Sequence, residues 1–237
     1  MAHKNQKKLC LGLPNLSYVH IRFALSLMAL KVPNHTRVVS YERVMIDSAR
    51  NLIAEKALEG GYDWILYLDD DMTFSPDIFF NLASYDKDII GALAFKREQP
   101  FEPCVYKKRE DGNMYSVFPK KMMDVDAIGS AGLLIKTDVL KKIEFPWFET
   151  GYNSDKEHFS VDFDFCRKAK EAGFKIWCDP DISMGHIGSP PIIDKKFFKK
   201  YYADSKRSNF NGSGGKRKNI RSSRDFEGSR GKCNPSD

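Results

Sequence analysis

The chain has 237 residues, 42% of them hydrophobic and 13% aromatic, which suffices for one α/β domain with a substantial core. Its net charge of +6 is unevenly spread: residues 195–237 carry 13 Lys and Arg against 4 Asp and Glu, leaving 25 basic and 28 acidic residues before them, so a mildly acidic body precedes a basic tail. Five cysteines, odd in number and without a CxxC spacing, argue against a disulfide framework or a thiolate zinc site and for free thiols in a cytoplasmic, reducing setting.

Leu9 to Leu13 is a short apolar run stopped by Pro14-Asn15, the pattern of a buried strand entering a loop and too brief for a signal peptide. Tyr18, Ile21, Phe23, Leu25, Met28 and Leu30 then recur at near-helical spacing as far as Pro33, and even the apolar stretch from Phe23 to Leu30 falls well short of the roughly 20 residues of a membrane span. A second strand over Arg37 to Tyr41 precedes a better helix, in which Ile46, Ala49, Leu52, Ile53, Ala57 and Leu58 form one apolar stripe ended by Gly60-Gly61. Trp64 to Leu68 is a continuous apolar run of strand length, with Asp69, Asp70 and Asp71 at its carboxyl end. The alternation predicts a parallel sheet with helices on both faces, where ligands bind beyond the carboxyl ends of the strands.

Ser75-Pro76 opens the next helix, and Asp88 to Phe95 is a further strand. Cys104 to Tyr106 and Met114 to Phe118 flank Glu110-Asp111-Gly112-Asn113, a hairpin signal. Val125 to Ile128 and Leu133 to Ile135 read as strands around the small-residue stretch Gly129-Ser130-Ala131-Gly132. A helix from Phe159 to Ala172 stops at Gly173, and Phe174 to Cys178 is a late strand leading to Asp179-Pro180-Asp181 and Met184-Gly185-His186. The fold class is therefore α/β, a Rossmann-like mixed central sheet flanked by helices, in a single domain over residues 1–204. Phe197-Phe198 and Tyr201-Tyr202 among lysines fit either a last helix packed on the domain or a segment touching a membrane surface. From 205 to 237 Ser, Asn, Gly, Lys and Arg dominate, with too few apolar residues to offset the entropy of folding, so a disordered tail is expected.

Three consecutive aspartates at a strand end repel one another and lose hydration, and a bound cation is the simplest remedy. Oxygen ligands suit Mg²⁺ or Mn²⁺, and a histidine from elsewhere tilts the choice toward Mn²⁺.

Taken together, these segments resemble GT-A glycosyltransferases with GT2-like and Anp1-like sequence patterns, over roughly residues 8 to 190. Leu13-Pro14-Asn15 stands where that family binds the nucleotide base, and Ser48-Ala49-Arg50-Asn51 looks like its Ala-Arg-Asn helix. Trp64 to Asp71 matches the DxD element, with Asp69 and Asp71 in the acidic positions and Asp70 between them. Gly129 to Leu134 is similar to the small-residue loop beside the donor sugar, which puts Gly132 at the donor. Val161-Asp162-Phe163-Asp164 looks like the motif that supplies the catalytic base in inverting members, and His186 sits where many members place a third metal ligand. One departure stands out: the motif is commonly Glu-Asp, and Val161 occupies the Glu position, so only Asp162 carries over.

The resemblance implies transfer of a sugar from a nucleotide-sugar donor to an acceptor hydroxyl on a glycan, lipid-linked group, protein or modified DNA. Asp69, Asp71 and His186 would hold the metal against the leaving diphosphate, Arg50 would add a positive contact, and Asp162 would take the acceptor's proton. Two other classes remain open: a metal-dependent phosphohydrolase or nuclease, which also clusters carboxylates at a strand end, and a non-catalytic module binding nucleic acid or another anionic partner through the tail.

Overall fold

A computed structural model describes residues 7–152, 158–188 and 192–203, and the helical backbone of 204–210. In chain order the elements begin β1 (Leu9–Asn15), α1 (Ile21–Ala29), β2 (Thr36–Glu42), α2 (Ile46–Glu59), β3 (Trp64–Leu68), β4 (Met72–Thr73), α3 (Ile78–Ala83) and β5 (Ile89–Leu93). There follow β6 (Val105–Lys108), β7 (Met114–Ser116), β8 (Met123–Val125), β9 (Ala127–Ile128), β10 (Gly132–Lys136), α4 (Thr137–Leu140), β11 (Gly151–Tyr152) and β12 (His158–Phe159). The last are α5 (Val161–Glu171), β13 (Ile176–Ser183), β14 (Gly185–Ile187), β15 (Ile192–Ile193) and α6 (Lys195–Phe210).

The central sheet runs in the order β2-β1-β3-β10-β5-β13-β8. β1 lies parallel to both β2 and β3, β10 inserts antiparallel between β3 and β5, and β13 returns parallel to β5. This is the expected mixed sheet. Side chains alternate across each strand, so consecutive residues feed opposite faces. Cys10, Ile65, Tyr67, Leu133 and Ile135 pack with Ile53 and Ala57 of α2, Val139 of α4 and Phe165 of α5. Their neighbours Leu9, Leu11, Leu66, Leu68 and Leu134 pack instead with Phe23 of α1 and Ile78, Phe79 and Leu82 of α3. All five residues of β3 are buried, because the strand is covered on both faces. Truncating Ile65 or Leu66 to Ala would cost about 2–5 kcal/mol.

Element ends follow local chemistry. Gly61 takes φ +62° to close α2, a conformation in which a side chain would be strained. α1 is shorter than its apolar spacing suggests: it starts after His20, whose Nδ1 accepts the Arg22 N–H at 3.1 Å, and only Phe23 is fully buried, while Ile21, Leu25 and Met28 face outward.

The stretch Val125 to Ile128, expected as one strand, divides. β8 joins the central sheet beside β13, and β9 joins β6 and β7 in a separate three-stranded sheet. The break falls at Asp126, whose carboxylate accepts the Lys108 N–H and pairs with Lys107 and Lys170. Burial opposes its charge, but these partners prevail and hold it down at about 2.

Cys10, Cys166 and Cys178 are buried free thiols, each pushed up to about 12 by burial. Cys233 and the basic tail beyond residue 210 lie outside the described residues; α6 carries the helical backbone past residue 204 to Phe210. Among the described residues no helix is long and apolar enough to cross a membrane.

Candidate active site

β3 ends at Leu68, opposite Gly132, the first residue of β10. The Asp69 N–H donates to the Ala131 carbonyl at 3.3 Å, which ties the start of the acidic run to the small-residue loop. From there the three carboxylates diverge, and each finds a partner in the protein.

Asp69 turns inward. Arg50 Nη2 donates to its Oδ1 at 2.9 Å and Oδ2 at 3.1 Å, with the Arg50 side chain 2% exposed and that of Asp69 27%. α2 presents Arg50 from beneath, its Cζ lies 5.3 Å from the Tyr67 ring centroid, and the Tyr67 hydroxyl donates to the Arg50 carbonyl at 2.8 Å. Burial works against the guanidinium charge, but Asp69 and then Asp162 keep it firmly protonated. Arg50 Nε and Nη1 are buried without a hydrogen-bond partner among the described residues. Burial lifts Asp69 above the usual carboxylate range, Arg50 opposes that, and the nearby charges of Asp162 and Asp71 add to it.

Asp70 accepts the Leu16 N–H at 3.3 Å, and burial raises it. Asp71 turns outward. Its Oδ2 faces His186 Nε2 at 3.0 Å and Arg97 Nη1 at 3.1 Å. On its other side His186 Nδ1 donates to the Phe95 carbonyl at 2.7 Å. Burial pushes Asp71 up, but the hydrogen bond and charge of His186, then Arg97, outweigh it and hold the carboxyl below its ordinary value. Burial works to lower His186, but its hydrogen bond and charge contact with Asp71, then the Phe95 carbonyl, outweigh it and leave it raised.

Asp162 lies in the first turn of α5 and accepts a short hydrogen bond from Ser130 Oγ. Its charge reaches both Arg50 and Asp69, so Arg50, Asp69 and Asp162 form one electrostatic group around the 129–132 loop. Gly132 leaves room there for Met184: a Cβ would sit 2.1 Å from Met184 Sδ and would force that side chain to move. Pro14 and Asn15 end β1, where the Asn15 side chain closes its own turn by accepting the Ser17 N–H at 2.9 Å and donating to Ser40 Oγ at 2.5 Å.

No family model matches the chain. In sequence it is similar to the Anp1 subunit of the mannan polymerase II complex of Schizosaccharomyces pombe, 23% identical over 193 residues that span 65% of this chain and 44% of that protein. The chain therefore spans less than half the length of that relative. Among solved structures it resembles A197 from STIV, with a TM-score of 0.52, 19% identity and coverage of 76% of this chain and 85% of that one. It also resembles GalNAc-T7 solved with UDP, GalNAc and Mn²⁺, with a TM-score of 0.54, 12% identity and coverage of 77% and 44%. The fold is GT-A.

Within this GT-A frame the acidic run occupies the carboxyl end of a central strand, as its sequence implied. Of the three residues read as metal ligands, Asp71 and His186 meet, whereas Asp69 is turned toward Arg50. Among the described residues no three His, Cys, Asp or Glu side chains close on one point. The donor chemistry of the meeting pair nonetheless fits a hard divalent ion: one carboxylate oxygen and one imidazole nitrogen whose opposite nitrogen is pinned to a carbonyl. Arg50, expected as a contact to the donor, is buried beneath Asp69. Sequence reasoning missed Arg97, Phe95 and Ser130 as partners of the acidic residues; only Ser130, inside the small-residue loop, stood near any motif.

Proposed function

We propose that this chain is a glycosyltransferase that moves a sugar from a nucleoside diphosphate to an acceptor hydroxyl, with residues 1–204 as the catalytic domain and 205–237 as an appended basic tail. The observation that carries the reading is the meeting of Asp71, at the end of an acidic strand terminus on a GT-A fold, with a histidine oriented from behind by a backbone carbonyl. Similarity to a mannan polymerase subunit and to a transferase solved with UDP and Mn²⁺ supports it.

Asp71 and His186 would hold Mn²⁺ or Mg²⁺, which when bound supplies Lewis-acid stabilisation of a leaving diphosphate. Arg50 fixes the carboxylate of Asp69. Arg97, exposed and beside Asp71, offers a guanidinium with donors to spare for diphosphate oxygens. In the transfer the acceptor oxygen bonds to the anomeric carbon while the bond from that carbon to the phosphate oxygen breaks, the electron pair leaving with the diphosphate. In an inverting transfer Asp162, oriented by Ser130, takes the acceptor's proton. Pro14, Asn15, Asp70 and Gly132 line the donor side in this reading.

A panel of UDP-, GDP- and dTDP-sugars assayed for Mn²⁺-dependent nucleotide release tests the proposal, and one of them is expected to turn over. Phosphate-ester or nucleic-acid cleavage without any sugar donor would replace the reading with a phosphohydrolase. Deleting residues 211–237 should leave donor hydrolysis intact; loss of all function would favour a module acting through the tail.

A further inference from the structure

His186 and Arg97 reach Asp71 from different elements, yet both depend on one segment. Residue 95 supplies the carbonyl that receives His186 Nδ1, and residue 97 supplies the guanidinium. That segment bends sharply: Phe101 adopts φ +56°, its N–H donates to the Glu98 carbonyl at 2.8 Å, and the Lys96 N–H donates to the Glu102 carbonyl at 2.9 Å. What seats it is the first turn of α6. Phe198 stacks on the fully buried ring of Phe95 with centroids 4.8 Å apart and planes at 28°, and Phe118 stacks on Phe198 at 5.1 Å and 9°. Phe197 meets Phe101 edge-to-face at 5.0 Å. Asp194 caps this turn, its Oδ1 accepting the Phe197 N–H at 2.7 Å.

We propose that Phe198 is a positioning residue for His186: by clamping the ring of Phe95 it fixes the Phe95 carbonyl, and that carbonyl decides which imidazole nitrogen faces Asp71. With Nδ1–H held by the carbonyl, Nε2 is the nitrogen turned to Asp71: it donates to that carboxylate while the ring is protonated, and once that proton leaves it carries the lone pair a metal needs. The carbonyl can hold that place only if its peptide does not shift, and the stacked ring on the same residue is what resists the shift. The apolar pair in the lysine-rich segment thus acts on the site through packing. The metal part of this inference rests on the function proposed above; the orientation of the imidazole does not.

Phe198→Leu and Phe198→Met keep the side chain large enough for the domain to fold, and Phe79→Leu, on the opposite face of the sheet, controls for general loosening. In protein carrying ¹⁵N-histidine, the Nδ1 resonance of His186, assigned with a His186→Gln sample, should move in both Phe198 variants and stay put in Phe79→Leu. Mn²⁺ affinity measured by calorimetry should fall about tenfold in the Phe198 variants, the lower end of what loss of an outer-sphere partner does. Phe198→Tyr, which keeps the ring, should restore both. An unmoved Nδ1 resonance in folded Phe198→Leu overturns the proposal, as does an equal shift in Phe79→Leu. Absence of Mn²⁺ uptake by the unaltered protein would sink the metal reading alone, leaving the Nδ1 resonance to decide this inference.

Discussion

Asp69 and Asp71 stand two residues apart in the same acidic run, but the fold gives them opposite surroundings. Asp69 faces a guanidinium that is 2% exposed and cannot leave without opening the contact between α2 and β3. Asp71, 34% exposed, faces a histidine that can lose its proton and an arginine that is 56% exposed. One carboxylate has a permanent partner and the other has exchangeable ones. Crowded carboxylates therefore do not need a cation to exist here; what distinguishes the outer one is that its partners can give way to a cation.

Replacing the outer residue should have the largest effect. Asp71→Ala is expected to lower Mn²⁺-dependent donor turnover by at least 10²–10³-fold, on the order of what removal of one charge-stabilising group costs, with a melting temperature lowered by no more than about 2–4 °C. Normal rates in a folded Asp71→Ala protein would exclude this carboxylate from the chemistry.

The inner residue should answer in stability instead. Arg50→Met strands a largely buried carboxylate and should cost about 3 kcal/mol in urea unfolding, near the low end for a broken buried pair because Asp69 keeps some solvent. The double variant Arg50→Met with Asp69→Asn should recover part of that loss. If Arg50→Met unfolds at the same urea concentration as the parent, the guanidinium is not the anchor described here.

Ser130→Ala removes the hydroxyl bound to Asp162 and should reduce kcat about tenfold with little change in KM, since it alters the base rather than donor binding. A change confined to KM would move Ser130 to the donor side.

A smaller effect concerns pH. His186 is held above its ordinary value of 6.5, so its ion pair contributes fully below that value and is lost as pH rises through the raised one. Asp71 is held below 3.8, so its contribution is present above that value and is lost as pH falls through the lowered one. The pair should stabilise the fold most in the weakly acidic window between, by no more than about 1 kcal/mol given its exposure. Mn²⁺ affinity should behave oppositely on the alkaline side, growing as His186 sheds its proton, and calorimetry in buffers of different ionisation enthalpy should register proton release on binding. Affinity that is flat between pH 6 and 8 would remove His186 from the ligand set.

Much of the frame was legible because its signals are local. Trp64 to Leu68 is a strand with the bounds its apolar run implied, the Asp111-Gly112 hairpin joins β6 to β7, and Gly61 and Gly173 end the helices they follow. Asp162 and the 129–132 loop were legible as motifs, and the fold brings them to Asp69. The roles of Arg97 and Phe95 were not, because each reaches Asp71 or His186 across a long stretch of chain, and Phe95 does so through its backbone carbonyl, which no side-chain pattern marks. The pairing of Arg50 was not legible for a related reason: its α2 neighbours say nothing about the aspartate that arrives 19 residues later and pairs with it. The split at Asp126 has the same origin in three lysines, two from β6 and one from α5.

The buried thiols give the domain a built-in reporter. Cys10 of β1, Cys166 of α5 and Cys178 of β13 belong to the same packed layer as α2, each with a proton it will not release near neutral pH. An alkylating reagent can modify them only when that layer opens, because the thiolate is the reactive species. The rate at which iodoacetamide consumes these three side chains, followed by peptide mass, is therefore a direct clock for opening of the half of the molecule that carries Arg50 and Asp162.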